Sequence, residues 1–194
     1  PIVRLQNRDE KDYKNLIDII KSDDISSFQK LVSQTNLNIN TKININFYKL
    51  DNSYNSSLIE LSCLFGSLQI FKFLLMNNAT HWKKIPNYAC AGGNCDIIHI
   101  LERENIKFDN VEVIVESIKF HRNDIVEYLE PNPIEIFKYC VKYDNIQCFF
   151  NCLENIYSDK LHMHQFGDDD DFINVCFHSI KKNYSGITKI LCFL

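Results

Sequence analysis

An all-α solenoid of about six stacked helix pairs is the fold class that the sequence predicts. Three observations predict it. Apolar stripes at helical period recur in pairs along the 194 residues. Each pair is split by a residue that tolerates left-handed backbone, and these breaks, at positions 23, 66, 93, 121, 144 and 183, are on average 32 residues apart. A small residue recurs at the same place in the first stripe of five of the six pairs, where neighbouring helices must come close.

The plainest copy is Ser57 to Leu75, with Ser62 at the small position, Gly66 at the break, and Ile70, Phe71, Leu74 and Leu75 as the second stripe. Lys84 to Leu101 repeats it with Ala89, Gly93, Ile97, Ile98 and Leu101. Glu112 to Leu129 places Ser117, His121, Ile125, Val126 and Leu129 in the same frame. Glu135 to Cys152 places Cys140, Asp144, Cys148, Phe149 and Cys152. Asn174 to Leu191 gives Ser179, Asn183, Ile187, Thr188 and Leu191, and a weaker first copy runs from Lys14 to Leu31 with Ile19, Asp23, Phe28 and Leu31. Helix pairs are therefore expected over about 14–32, 57–76, 84–102, 112–130, 134–153 and 172–194, in one domain spanning 1–194. Long connections remain at 36–56 and 154–171. The first, with its Asn/Ile alternation, reads as an extended loop with one or two β-pairs, because asparagine suits strands poorly. The second ends in Asp168–Asp171 just before a helix start at Phe172, where acids complement the dipole and cap free N–H groups.

Ser57, Ile59, Ser62 and Gly66, followed by the leucine-bearing second helix, resemble the core of the ankyrin repeat. The pattern is similar to the degenerate ankyrin arrays expanded in protists, and it covers residues 14–191. The chain departs from the family pattern in three ways. The turn glycine survives only at Gly66 and Gly93, the motif histidine is absent, and spacings as short as 23 residues leave plain loops where the family has β-hairpin fingers. The resemblance implies a non-enzymatic protein–protein interaction module, a scaffold or adaptor. A regulatory or targeting segment of a larger multidomain enzyme is the alternative.

Composition narrows the function classes. The chain is 45% hydrophobic and 24% charged, which argues against wholesale disorder, and its net charge is −4. A nucleic-acid groove is disfavoured by that charge and by the scarcity of arginine. No apolar run reaches the length of a membrane span, and a cytoplasmic location with reduced thiols is expected. A start at Pro1 without methionine reads as a fragment or a processed chain. Ile (26), Asn (22) and Lys (17) dominate, as AT-rich codons would produce. None of the eight cysteines forms a Cys-x-x-Cys, so buried thiols acting as small hydrophobes are expected; Cys148 and Cys152, four apart, share a helix face.

Catalytic motifs are absent: there is no phosphate-cradling glycine loop, no nucleophile elbow and no His-Glu-x-x-His. His162, His164 and Asp168–Asp171 are the most metal-like cluster, but a polar loop capping a helix accounts for them, and neither metal nor cofactor is called for. One other constellation stands out. By the resemblance, the two residues before each turn face the concave groove of an ankyrin stack. Here they are Lys21-Ser22, Leu64-Phe65, Ala91-Gly92, Lys119-Phe120, Lys142-Tyr143 and Lys181-Lys182. Phe65, Lys119, Phe120, Lys142, Tyr143, Lys181 and Lys182 are thus the candidate partner-binding residues, a basic stripe studded with aromatics for an acidic or amphipathic protein partner, alone or within a larger assembly. Lysines that merely complement helix C-terminal dipoles are the competing reading. The apolar end Ile187, Ile190, Leu191, Phe193 and Leu194 is expected to be covered by further repeats or a partner, or to fold back.

Overall fold

The computed structural model describes residues 10–43, 55–80 and 84–158. Among them run ten helices: α1 (Glu10–Lys21), α2 (Ile25–Thr35), α3 (Leu58–Phe65), α4 (Leu68–Met76), α5 (Ile85–Gly92), α6 (Cys95–Arg103), α7 (Val111–Lys119), α8 (Asn123–Leu129), α9 (Pro133–Lys142) and α10 (Ile146–Ser158). They form five successive antiparallel pairs in the frame set out above. The sixth pair, expected over 172–194, lies outside the described residues, as do Lys181, Lys182, His162, His164 and the acidic run. The chain divides into two compact units, Pro1–Lys107 and Phe108–Leu194.

In the first unit the odd-numbered helices form one row, α1 on α3 on α5, and the even-numbered helices form a second, α2 on α4 on α6. This is the layering of a solenoid, in which no pair covers its own apolar side and each neighbour completes the core. α3 sits in the middle, with helices on three sides. Every residue from Leu58 to Leu64 is consequently buried, and the helix is apolar nearly all round rather than along a stripe. In the second unit α7 packs on α8 and α9, and α10 packs on α8 and α9. Its core is built from Ile118, Ile136, Phe137, Val141 and Phe149, with the Phe137 and Phe149 rings 4.9 Å apart.

The small positions are buried within the stack. Ser62, Ala89, Ser117 and Cys140 are all at most 1% exposed. The breaks have the expected geometry as well. Asp23, Gly66, Gly93, His121 and Asp144 have φ between 51° and 72°, the left-handed region. Four of these turns are Schellman motifs. The amide just after the left-handed residue bonds back to the carbonyl five residues before it: Asp24 to Ile19, Ser67 to Ser62, Arg122 to Ser117 and Asn145 to Cys140. In three of them the accepting carbonyl belongs to the small residue itself, so one position serves close packing and helix termination together.

Several helix starts are capped by side-chain oxygens. Ser57 and Glu60 form a reciprocal capping box at α3, and Asp24, Asn94, Asn110 and Asn132 accept backbone N–H groups at α2, α6, α7 and α9. Asparagine also takes the left-handed position at 36, 78 and 105. A residue that codon bias makes abundant is placed where its short amide has structural use.

The first long connection contains a two-residue antiparallel bridge between β1 (Lys42–Ile43) and β2 (Ser56–Ser57), paired Lys42 with Ser57 and Ile43 with Ser56. Ser56 Oγ lies 3.0 Å from Tyr88 Oη, which ties the bridge to α5. The second connection starts later than expected: residues 154–158 continue α10 as helix. The N-terminal helix likewise begins at Glu10, before the expected position 14.

Candidate functional site

The residues just before each turn occupy the last turn or the C-cap of the first helix in a pair. Phe65 closes α3, Phe120 caps α7 and Tyr143 caps α9. All three aromatics are half-buried. A lysine ammonium lies over each ring: Lys21 Nζ is 5.4 Å from the centroid of Phe65, Lys119 is 5.6 Å from Phe120, and Lys142 is 5.0 Å from Tyr143. Such cation–π stacking contributes ~0.5–1 kcal/mol at exposed sites. The Lys21 contact joins consecutive pairs, because Lys21 ends α1 and Phe65 ends α3. Lys119 also reaches Glu116, 3.5 Å away, an i,i+3 ion pair that partly neutralises it. Lys21, Lys119 and Lys142 all lie in last turns, where the helix dipole favours a cation.

The structure thus brings Phe65 together with Lys21 in the first unit. In the second it places Lys119 and Phe120 at the end of α7, and Lys142 and Tyr143 at the end of the adjacent α9. Two turns depart from the frame. Leu64 and Ala91 are buried in the first unit, and Gly92 is pressed against the backbone of α3. A Cβ on Gly92 would stand 2.0 Å from the Cys63 carbonyl oxygen, so glycine is there for close backbone approach and not to line a groove.

Within each unit, polar pins that the sequence frame does not flag lie next to these turns. At three turns the residue following the left-handed position reaches back to the preceding pair. Ser67 Oγ donates to the Ile20 carbonyl, Asn94 Nδ2 donates to the Gly66 carbonyl at 2.9 Å, and Asn145 Nδ2 donates to the Ile118 carbonyl at 3.0 Å. Asp23 does the converse, accepting the backbone N–H groups of Gln69 and Ile70 at 3.0 Å each. These bonds fix the spacing of consecutive turns, and with it the spacing of the lysine–aromatic pairs. Their only signal in sequence is a polar residue one position after the turn.

The described cysteines are free thiols, and all but the exposed Cys95 are buried. Three of them converge: Cys140, Cys148 and Cys152 have sulfurs within 4.8 Å of one another. Cys148 is pulled down from the ordinary thiol range by the S–H groups of Cys140 and Cys152, and Cys140 is pushed up by donating to Cys148. Among the described residues this is the one cluster of three potential metal ligands.

Comparison with known proteins agrees with the geometry. The ankyrin repeat domain of human ASB11 superposes with a TM-score of 0.51, covering 72% of this chain and 67% of that one at 21% identity. A curated ankyrin repeat protein of Acanthamoeba polyphaga mimivirus is 32% identical over 73 residues, 37% of this chain. The helix pairs of this chain have the fold of ankyrin repeats. Residues 76–152, from the end of α4 into α10, also match the family described as Domain of unknown function (DUF3447). The chain spans 17% of the length of the mimivirus ankyrin repeat protein. Asp23, His121 and Asp144 take the left-handed turn position that glycine holds at Gly66 and Gly93. No helix among the described residues is long and apolar enough to cross a membrane.

Proposed function

We propose that this chain is a non-enzymatic, cytoplasmic protein-binding module, a scaffold or adaptor whose turn-proximal groove takes an acidic or amphipathic segment of a protein partner. Phe65, Phe120 and Tyr143 are the anchors, with Lys119 and Lys142 beside them and Lys181 and Lys182 continuing the stripe from the sixth repeat. The single observation that carries this reading is a half-buried aromatic at the same repeat position in three pairs, each under a lysine, which comes from its own pair at Phe120 and Tyr143 and from the preceding pair at Phe65. A dipole role explains a lysine in the last turn, but not the ring beneath it. Aromatic anchors with adjacent cations are what hot spots for acidic segments are made of. In a longer protein the same face would address a partner on behalf of whatever else that protein carries, as the regulatory or targeting reading holds.

The test separates binding from folding. Lys119→Gln/Lys142→Gln removes charge from exposed or half-exposed side chains and should shift stability by no more than ~1 kcal/mol. Phe120→Ser/Tyr143→Ser removes half-buried rings and should cost more, about 1 kcal/mol each by area. Affinity capture from the source cell, quantified by mass spectrometry, should lose the same protein with both variants. A partner retained equally by wild type and both variants would refute the groove.

A further inference from the structure

The pair α9/α10 differs from its neighbours in one chemical respect. At the small position the preceding repeats carry Ser62, Ala89 and Ser117; here it is Cys140. Four residues past the turn they carry isoleucine, and here stands Cys148. Eight residues past it they carry leucine, and here stands Cys152. Apolar packing does not call for this. Isoleucine and leucine fill those places in the other repeats, and cysteine is smaller than either. Three substitutions at independent positions of the frame bring three sulfurs to one point of the core.

The three sulfurs lie within 4.8 Å of one another, close enough to share one ion. Cys140 Sγ lies 3.0 Å from Cys148 Sγ and 3.9 Å from Cys152 Sγ. Non-bonded heavy atoms settle at ~3.5–4.0 Å, and sulfur is large among them. A metal bound symmetrically by three thiolates at about 2.3 Å holds its sulfurs about 4.0 Å apart, within the span seen here. All three residues are at most 3% exposed, and no other His, Cys, Asp or Glu among the described residues joins the cluster. Structural zinc asks for four ligands, whereas an all-thiolate set favours the soft cuprous ion.

We propose that Cys140, Cys148 and Cys152 form a three-thiolate site for a single monovalent copper ion. Binding forms up to three S–Cu bonds and breaks the corresponding S–H bonds. The protons leave to solvent, and neither metal nor sulfur changes oxidation state. The site clamps α9 to α10 beneath Tyr143, and it is independent of the groove: it requires no protein partner.

The experiment is an anaerobic titration of the reduced full chain with copper(I) held by bicinchoninate. Wild type should strip one equivalent from the chelator and develop a near-ultraviolet sulfur-to-copper absorption. The variants Cys140→Ala, Cys148→Ile and Cys152→Leu restore residues that the other repeats carry at these positions, so each is expected to fold. Cys140→Ser is the reserve, since serine occupies that position twice. Each should lose more than the ~10–100-fold affinity that outer-shell changes cost, while Cys95→Ser, at an exposed thiol, keeps full affinity. The proposal is overturned if wild type leaves copper with the chelator, if a folded variant of the three binds undiminished, or if Cys95→Ser abolishes binding. It is equally overturned if the chain takes zinc and not copper(I), or if the reduced chain ignores copper and merely closes a Cys140–Cys148 disulfide with glutathione disulfide.

Discussion

Replacing Asn145 with alanine should be among the most damaging polar substitutions in the second unit. The side chain is 1% exposed and uses all of its main bonding capacity. Its Oδ1 accepts the Cys148 N–H at 3.1 Å and so caps α10; its Nδ2 donates to the Ile118 carbonyl at 3.0 Å and to Asn123 Oδ1 at 2.8 Å. Losing the cap costs ~1 kcal/mol. Losing two buried bonds, with the Ile118 carbonyl left without its donor, costs ~1–3 kcal/mol more. The sum is about 2–4 kcal/mol, a large part of the stability of a small unit. Asn132 supplies the control, because it is exposed and its side chain caps α9 at 3.0 Å from the Ile134 amide without reaching another repeat. Asn132→Ala should therefore cost only the cap, about 1 kcal/mol. Asn145→Asp keeps the cap acceptor but turns an oxygen toward the Ile118 carbonyl, and should be no better than alanine. Urea denaturation followed by circular dichroism measures all three. With slopes of ~1–3 kcal/mol/M, the Asn145→Ala midpoint should fall by about 1 M or more below that of Asn132→Ala. Equal midpoints for the two alanine variants would refute the idea that turn-proximal polar pins hold adjacent repeats together.

Other expectations follow from the same geometry. Gly92→Ala would drive a Cβ to 2.0 Å from the Cys63 carbonyl, a backbone atom that cannot swing away, and should cost ~3 kcal/mol or more in the same assay. Ala89→Leu overpacks a position that is 1% exposed and should cost ~1–3 kcal/mol. The Asp24 carboxyl is held below its ordinary value by hydrogen bonds from the Ser27 side chain and backbone, so it stabilises above the unfolded-state value near 4 and loses that contribution as pH falls through the lowered folded value. Asp24→Asn keeps a cap acceptor without the titration, and denaturation midpoints measured between pH 2 and pH 6 should show a shallower acid limb for it than for wild type.

The repeat register was legible because it is written twice, once in the apolar stripes and once in the turn residues. Asp23, His121 and Asp144 could be placed in left-handed turns without a glycine because the stripes on either side fixed where a turn must be. The small positions were legible for the same reason. Other features were hidden. Asn94, Asn110, Asn132 and Asn145 read as codon bias, since a cap is recognisable only when the helix start is known to the residue. Gly92 read as a groove position, because nothing local shows that another helix's backbone passes there. The cysteine trio read as separate small hydrophobes. The i,i+4 pair on α10 was visible, but its meeting with Cys140 depends on how two helices pack, and that information is not in either segment alone. For the groove, the lysine and aromatic residues were legible as pairs; that the rings would be half-buried, and so matter to folding as well as binding, was not.

The claim on which everything else rests is the repeat register, and residue-resolved hydrogen exchange tests it most directly. The amides of Asp24, Ser67, Arg122 and Asn145 sit just past their helices, where a frayed end would exchange quickly. If the turns close as described, each is bonded to a carbonyl five residues back, and these four amides should exchange far more slowly than the exposed amide of Asp109 in the 106–110 connection. Exchange at those four positions as fast as at Asp109 would contradict the register, and with it the placement of the groove and of the thiol cluster.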